Sequence, residues 1–302
     1  MKQTIQDLTI RSNFMFVAVM LDPQNCRDLL ERASGIPIDH VEVDREKSLI
    51  YHPEYKSVRL DVYAKDGKGS HINVEMQVVT EHLTKRARYY HSQLDMNLLL
   101  SGVSYDELPD CYVIFICDFD PFGLKKYRYT LRETFCEDET YSYRDGAHTL
   151  FLSTKGTNDT EVPIELLKLL KFIGADRDRM EDDFSVTRLQ ETIRRIKRDR
   201  EMGARYVLFE ELLKDEHKAG RAEGRAIGQA EFILDILSEH FAVPEELRTR
   251  ILSDKNSDTL KEWPRAAIKS ESLEQFCRES NLMWLRSGRR FLPVVSTVKS
   301  KH

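Results

Sequence analysis

Two stretches of strict apolar–polar alternation, separated by a short turn signal, constrain this chain more than any other feature. Residues 58–64 read Val58-Arg59-Leu60-Asp61-Val62-Tyr63-Ala64, and residues 72–78 read Ile72-Asn73-Val74-Glu75-Met76-Gln77-Val78. Between them stands Asp66-Gly67-Lys68-Gly69. Alternation at period two is the pattern of a strand with one buried face, and a Gly-containing connection of this length predicts a β-hairpin. A turn centred on Lys68 places Asp61 opposite Glu75 and Arg59 opposite Gln77, with opposed Cβ atoms about 5 Å apart. Arg59, Asp61 and Tyr63 then share the polar face with Asn73, Glu75 and Gln77. Leu60, Val62, Ala64, Val74, Met76 and Val78 point into the core, so one face packs and the other is free to work.

Two carboxylates that close repel each other unless something positive sits between them. A hard divalent cation such as Mg²⁺ fits, because it accepts one or two carboxylates and keeps positions for water and phosphate oxygens. The competing reading is a solvated polar face on an edge hairpin. A one-residue slip in register would also take the acids out of opposition.

The remaining pattern places this hairpin in a larger domain. Residues 13–33 predict two helices broken at Asp22-Pro23, with Asp22 capping the second, and Gly35-Ile36-Pro37 ends the unit. Residues 41–51 predict a strand interrupted by charges. Residues 81–100 predict a helix, with Leu83, Ala87, Tyr90, Leu94 and Leu98 near helical spacing. Residues 112–117 form a continuous apolar run, the mark of a buried central strand. Residues 149–152 give a further strand and 161–173 a closing helix. This order predicts an α/β fold, a mixed sheet flanked by helices, over residues 1–175. Residues 176–228 read as a long charged helical connector. It ends in Gly220, Gly224 and Gly228, each costing a helix about 1 kcal/mol relative to Ala, which predicts a weak or hinged helix. Residues 229–280 read as a small all-helical region of four short helices, with Pro244 in a first turn. Residues 281–302 read as a basic, flexible tail carrying Arg286, Arg289, Arg290, Lys299 and Lys301.

Composition excludes several classes. A hydrophobic share of 41% allows a sizeable core, and 13 Gly with 9 Pro in 302 residues exclude a collagenous chain. The net charge of −5 excludes coating of nucleic acid by bulk charge. Residues 1–175 are the acidic part, with 21 Lys and Arg against 27 Asp and Glu. The five cysteines, Cys26, Cys111, Cys117, Cys136 and Cys277, include no C-x-x-C pair, which argues against a disulfide framework or structural zinc. No apolar run approaches the ~18 residues of a membrane span. The start lacks the apolar segment of a secretory leader, so the cytoplasm is the expected location. No G-x-x-x-x-G-K-[ST] occurs, so no nucleotide cofactor is expected. The histidines form no H-x-x-x-H or H-E-x-x-H pattern, and no G-x-S-x-G nucleophile motif is present.

An ordered set of short motifs is more specific than the hairpin alone. Ser12-Asn13-Phe14-Met15-Phe16, Arg59-Leu60-Asp61-Val62-Tyr63-Ala64, Asn73-Val74-Glu75-Met76-Gln77, Arg86-Ala87-Arg88-Tyr89-Tyr90, Gly102-Val103-Ser104-Tyr105 and Asp118-Phe119-Asp120-Pro121-Phe122 occur in that order. Together they resemble the recombination-promoting nuclease (Rpn) and transposase family of bacteria, within the PD-(D/E)XK nuclease superfamily. The resemblance covers roughly residues 5–175. It implies a restriction-endonuclease-like fold and a metal-dependent DNA endonuclease using Mg²⁺, with Mn²⁺ as the alternative ion. Asp61 and Glu75 would be the metal ligands, and Gln77 would fill the slot where the superfamily has Lys. A Lys ammonium stabilises charge developing on phosphorus, whereas an amide donates a hydrogen bond without charge. The missing charge would then come from Arg59, Arg86 or the metal. Asn13 stands where many relatives carry an acid.

Arg86, Tyr90, Gln93 and Asn97 share one face of the predicted helix. With Arg59, the first three are candidate DNA-phosphate ligands. The basic run Arg194-Arg195-Ile196-Lys197-Arg198 reads as a solvated helix face or a DNA-backbone contact. DNA is the expected partner, with a homodimer through the C-terminal helices and no membrane. Three function classes remain open on the sequence: the endonuclease, a catalytically weak DNA-binding or protein-interaction module that keeps the nuclease fold, and a helical scaffold whose N-terminal domain is inert.

Overall fold

The computed structural model describes residues 3–45, 48–49, 58–80, 82–175, 183–282, 285–286 and 289–290. Tyr51, His52, the expected helix start at Glu81 and the end of the basic tail fall outside them. The chain divides into two compact units, Met1–Val207 and Leu208–His302.

The first unit is built on a six-stranded sheet. Its strands are β1 (Val41–Arg45), β2 (Val62–Asp66), β3 (His71–Gln77), β4 (Cys111–Cys117), β5 (Arg128–Thr130) and β6 (Ala147–Ser153). Their spatial order is β1-β2-β3-β4-β6-β5. β1, β2 and β3 are antiparallel neighbours, β4 runs parallel to both β3 and β6, and β5 closes the edge antiparallel to β6. The β2–β3 register is symmetric about Lys68, with Val62 opposite Val74 and Tyr63 opposite Asn73. The mixed α/β sheet is therefore as expected, and so is the hairpin register from Val62 to Lys65, but the expected ladder pairs Asp61 with Glu75 and Arg59 with Gln77 do not form. The edge strand β5 and the small pair Thr134–Phe135 with Asp138–Ser142 were not anticipated, because their residues lack an apolar alternation.

Helices cover both faces. On one side are α1 (Asn13–Met20) and α2 (Pro23–Ser34), and on the other α3 (Leu83–Leu98) packs on β4. α1 is apolar almost all round, which fits a helix buried on several sides. Asp22 caps α2 by accepting the backbone N–H groups of Gln24 and Asn25, and Gly35 ends it in a left-handed conformation at φ 75°. α4 (Ile164–Ile173) and α5 (Phe184–Arg198) pack with α2. α5 was read as part of a connector beyond residue 175, yet the first unit runs to Val207. Its stripe of Val186, Leu189, Ile193 and Ile196 is buried among charged residues. Arg188 also pairs with Asp28 at 3.0 Å, and Asn25 donates to Thr192 at 3.2 Å.

β4 is buried on both faces because helices cover both, as its continuous apolar sequence demands. The two-faced hairpin is corrected here. Val78 is exposed, whereas Tyr63, Asn73 and Glu75 on the polar face are buried beneath α3. Cys111 and Cys117 lie in the core, and all five cysteines are free.

One helix, α6 (Arg200–His240), begins in the first unit and runs on in the second without interruption through Gly220, Gly224 and Gly228. The expected hinge is absent, and 230–241 is the end of this helix rather than a separate one. The three glycines lie on the exposed side, where an added Cβ would meet nothing within 4 Å. Strong helix formers surround them, and Ala230, Ile233, Leu234 and Leu237 anchor the helix in a core. That core is completed by α7 (Glu245–Leu252), α8 (Ser257–Lys269) and α9 (Leu273–Glu279), with Trp263 donating its indole N–H to the Ser280 carbonyl at 3.0 Å. Pro244 precedes α7 at its N-cap. In the basic tail, Leu285–Arg286 and Arg289–Arg290 pair as two short antiparallel strands. Among the described residues, no helix is long and apolar enough to cross a membrane.

Candidate active site

The site forms where the hairpin ladder breaks. Val58–Arg59 pairs with Ser48–Leu49 instead of with β3, and Leu60 and Asp61 belong to neither ladder. Freed from the ladder, Asp61 turns its carboxylate onto β3. Its Oδ2 accepts the backbone N–H of Met76 at 3.2 Å, while its own N–H donates to Glu75 Oε1 at 3.1 Å. Glu75 thus holds the backbone of Asp61, while Asp61 holds the backbone of Met76, the residue after Glu75. Asn13, the first residue of α1, donates from Nδ2 to Asp61 Oδ1 at 2.5 Å. Asn13 thus meets this carboxylate with a neutral donor.

Glu75 is only 2% exposed and Asn73 is fully buried. Asn73 Nδ2 donates to Glu75 Oε1 at 3.1 Å, and its Oδ1 has no hydrogen-bond partner among the described residues. From α3, Arg86 and Tyr90 reach Glu75 Oε2, each at 3.5 Å. Arg86 also donates to Gln77 Oε1 at 2.7 Å and to the Tyr90 hydroxyl at 3.0 Å. Its guanidinium lies over the rings of Tyr90 and Phe115. Spacing by four on α3 gives Arg86 and Tyr90 one face, and Phe115 of β4 is the floor they rest on.

Electrostatics mark the acid pair as strained. Burial, and then the charge of Asp61, push Glu75 up to about 8. Burial also raises Asp61 above the usual carboxylate range, against hydrogen bonds from Met76 and Asn13 and the charges of Arg86 and Arg59. Burial opposes the charge of Arg86, but Tyr90, Glu75 and Asp61 more than offset it. The Arg86 guanidinium stands 3.5 Å from Glu75, a long contact for an ion pair.

The structure therefore brings Asp61, Glu75, Gln77, Arg86 and Tyr90 together. Arg59 is exposed and acts on Asp61 through its charge. Gln93 lies further along α3 and is buried. Among the described residues, no group of three or more His, Cys, Asp or Glu side chains is placed to hold a metal ion, so the acidic donors number two.

A cluster that sequence reasoning passed over lies at the same end of the sheet. Asp118 follows β4, and its backbone N–H donates to the Gln77 carbonyl at 2.9 Å. Its carboxylate takes Arg11 at 2.8 Å, the Thr154 hydroxyl at 2.7 Å and Lys155 at 2.8 Å. Burial opposes its charge, but Lys155, Thr154 and Arg11 outweigh burial and hold the carboxyl below its ordinary range. The only sequence signal was the Asp118-Phe119-Asp120 motif, which does not name its partners.

The model of the PD-(D/E)XK nuclease family transposases matches residues 27–219, well over half the chain. The chain belongs to this family. The match takes in all six strands of the sheet, together with α3 to α5, and stops within α6. Membership in a PD-(D/E)XK nuclease family accords with the mixed sheet and points to nuclease function. Comparison with curated proteins and with solved structures finds no match.

Proposed function

We propose that the protein is a metal-dependent DNA endonuclease that hydrolyses phosphodiester bonds, with Asp61 and Glu75 as ligands of a Mg²⁺ ion. The observation that carries this reading is the acid pair: two buried carboxylates held side by side through hydrogen bonds to the Asp61 and Met76 backbones, with the Arg86 guanidinium 3.5 Å from Glu75. The donor set fits a hard divalent ion. All nearby ligating atoms are oxygens, and the carbonyl oxygen of Asn73 lies buried and unpartnered beside Glu75. Mn²⁺ suits the same oxygens. When bound, the ion lowers the pKa of water and offsets charge on a phosphoryl oxygen.

The chain's own residues do the rest. Arg86 takes the amide oxygen of Gln77, which leaves the Gln77 NH₂ group to donate outward. That group orients an attacking water but cannot remove its proton. Arg86 brings to this slot the positive charge that the amide lacks, and it stands ready to hold a phosphate oxygen. Tyr90 fixes the guanidinium from one side and the Phe115 ring supports it from below. Arg59 adds a further cation near Asp61.

A second reading draws on the neutral Gln77: a DNA-binding or protein-interaction module that retains the fold without cutting. Nicking of supercoiled plasmid decides between them, run with Mg²⁺, with Mn²⁺ and with EDTA. Metal-dependent nicking that disappears in Asp61→Ala and Glu75→Ala is the expected result. A folded protein that nicks with neither ion, or variants that nick as well as the wild type, would overturn the endonuclease reading.

A further inference from the structure

We infer that Lys155, positioned by Asp118 beside Arg11, is a second phosphate-binding point that receives the DNA backbone a few nucleotides from the bond cut at Asp61 and Glu75. The inference rests on the nuclease reading above and adds a residue outside the acid pair and α3.

Three observations place the point on the path of the substrate. Asp118 continues β4 just beyond Cys117, which is in register with Gln77, and its N–H bonds the Gln77 carbonyl at 2.9 Å. Lys155 follows β6, the next strand over, and Thr154 is tied to the Cys117 carbonyl at 3.0 Å. Two strand spacings separate β3 from β6, about 10 Å. At about 3.4 Å of axial rise per nucleotide on one strand, a backbone crossing this edge meets Lys155 within about three phosphates of the cut. Finally, Arg11 and Asn13 lie two residues apart in one segment, so the same stretch of chain that touches Asp61 also touches Asp118. Everything named stands at the carboxyl ends of parallel strands, where open α/β sheets bind their ligands.

The cluster also has the chemistry of an anion site. One carboxylate, 14% exposed, engages two cations, and the Lys155 side chain is 47% exposed. An acid shared by two cations orders both, and the half-exposed Lys155 ammonium keeps donors beyond the one that Asp118 takes. The Lys155 backbone is braced on each side. Glycine is required at 174 because a Cβ there would come within 2.7 Å of Thr154 Cβ, and at 156 because a Cβ would overlap the Tyr127 ring. The ammonium therefore projects from a fixed base in a domain whose sequence is acidic overall.

Binding of a short fluorescent DNA duplex in EDTA, across a salt titration, tests this without reference to cutting. Removing one phosphate contact lowers the slope of log affinity against log salt by about one, and near 0.05 M salt this amounts to about tenfold in affinity. Lys155→Gln is expected to show both changes, uniformly across duplex sequences, with a melting temperature like that of wild type. Lys155→Arg, which keeps the charge, is expected to restore both. An unchanged slope and affinity in Lys155→Gln would overturn the inference, as would a Lys155→Arg protein that binds no better than Lys155→Gln. Wild-type nicking with DNA binding indifferent to Lys155 sinks this inference alone. Lys155-dependent binding without nicking upholds the phosphate contact and sinks the endonuclease instead.

Discussion

Replacing Glu75 with Gln should change how stability depends on pH, and the structure gives the sign. The carboxyl is pushed up to about 8, first by burial and then by the neighbouring Asp61 charge, from an ordinary value of 4.5. The folded protein therefore holds this proton more tightly than the unfolded chain does. Its contribution to stability is complete below pH 4.5 and is lost as the pH rises through about 8. Full titration over that window corresponds to about 5 kcal/mol at 1.36 kcal/mol per pH unit, and relaxation around the pair makes about 2–5 kcal/mol the expected range. Water does little to screen a group that is 2% exposed. His91 works in the opposite sense, because burial lowers it to about 4 and its contribution is lost as the pH falls below 6.5. That term is common to both proteins and cancels in their difference. Urea unfolding in EDTA at pH values of about 5.5, 7 and 8.5 reads the result. Wild type should lose stability relative to Glu75→Gln as the pH rises. Parallel pH profiles would refute the reasoning, since they would mean that Glu75 is not held protonated by its surroundings.

Three further outcomes follow from the same structure. Mg²⁺ should raise the melting temperature of wild type more at pH about 9 than at pH about 6, because binding must displace the Glu75 proton, and Asp61→Ala should abolish the effect in calorimetry. Gly220→Ala, Gly224→Ala and Gly228→Ala should each stabilise α6 by about 0.5–1 kcal/mol, since the sites are open and helical; thermal unfolding that is unchanged or earlier would contradict the continuous helix. Asp22→Ala should cost about 1 kcal/mol in urea unfolding by removing the cap of α2, and Asp22→Asn, which keeps an accepting oxygen, should cost less.

What was legible in the sequence followed from short-range physics. Alternation about Lys68 fixed the hairpin register, and the Asp22-Pro23 break fixed the junction of α1 and α2. The continuous apolar run of β4 announced a strand covered on both faces. Three features depended on distant partners and left no local trace. The ladder breaks at Leu60 because the preceding residues pair with Ser48–Leu49, a contact that alternation alone does not encode. The polar face of β3 is buried because α3 folds over it, so residues chosen for polarity ended up with little exposure. α5 hides a narrow apolar stripe in a charge-rich sequence, and the stripe gained meaning only with α1, α2 and α4 to pack on.

Gln77 illustrates how one substitution is understood only through its spatial partner. Read along the chain, and with Gln77 in the lysine slot as proposed above, the strand lacks a positive charge at this position. In the folded protein its amide oxygen lies 2.7 Å from an Arg86 nitrogen, so the charge arrives from α3 instead. A lysine at position 77 would set an ammonium against that guanidinium. Two like charges about 3 Å apart repel by about 5 kcal/mol at an effective dielectric constant of about 20. The amide accepts a hydrogen bond in the position where an ammonium would be driven away. Positions 77 and 86 therefore act as one unit, in which the strand supplies the acceptor and the helix supplies the cation, and neither residue can be judged from its own motif.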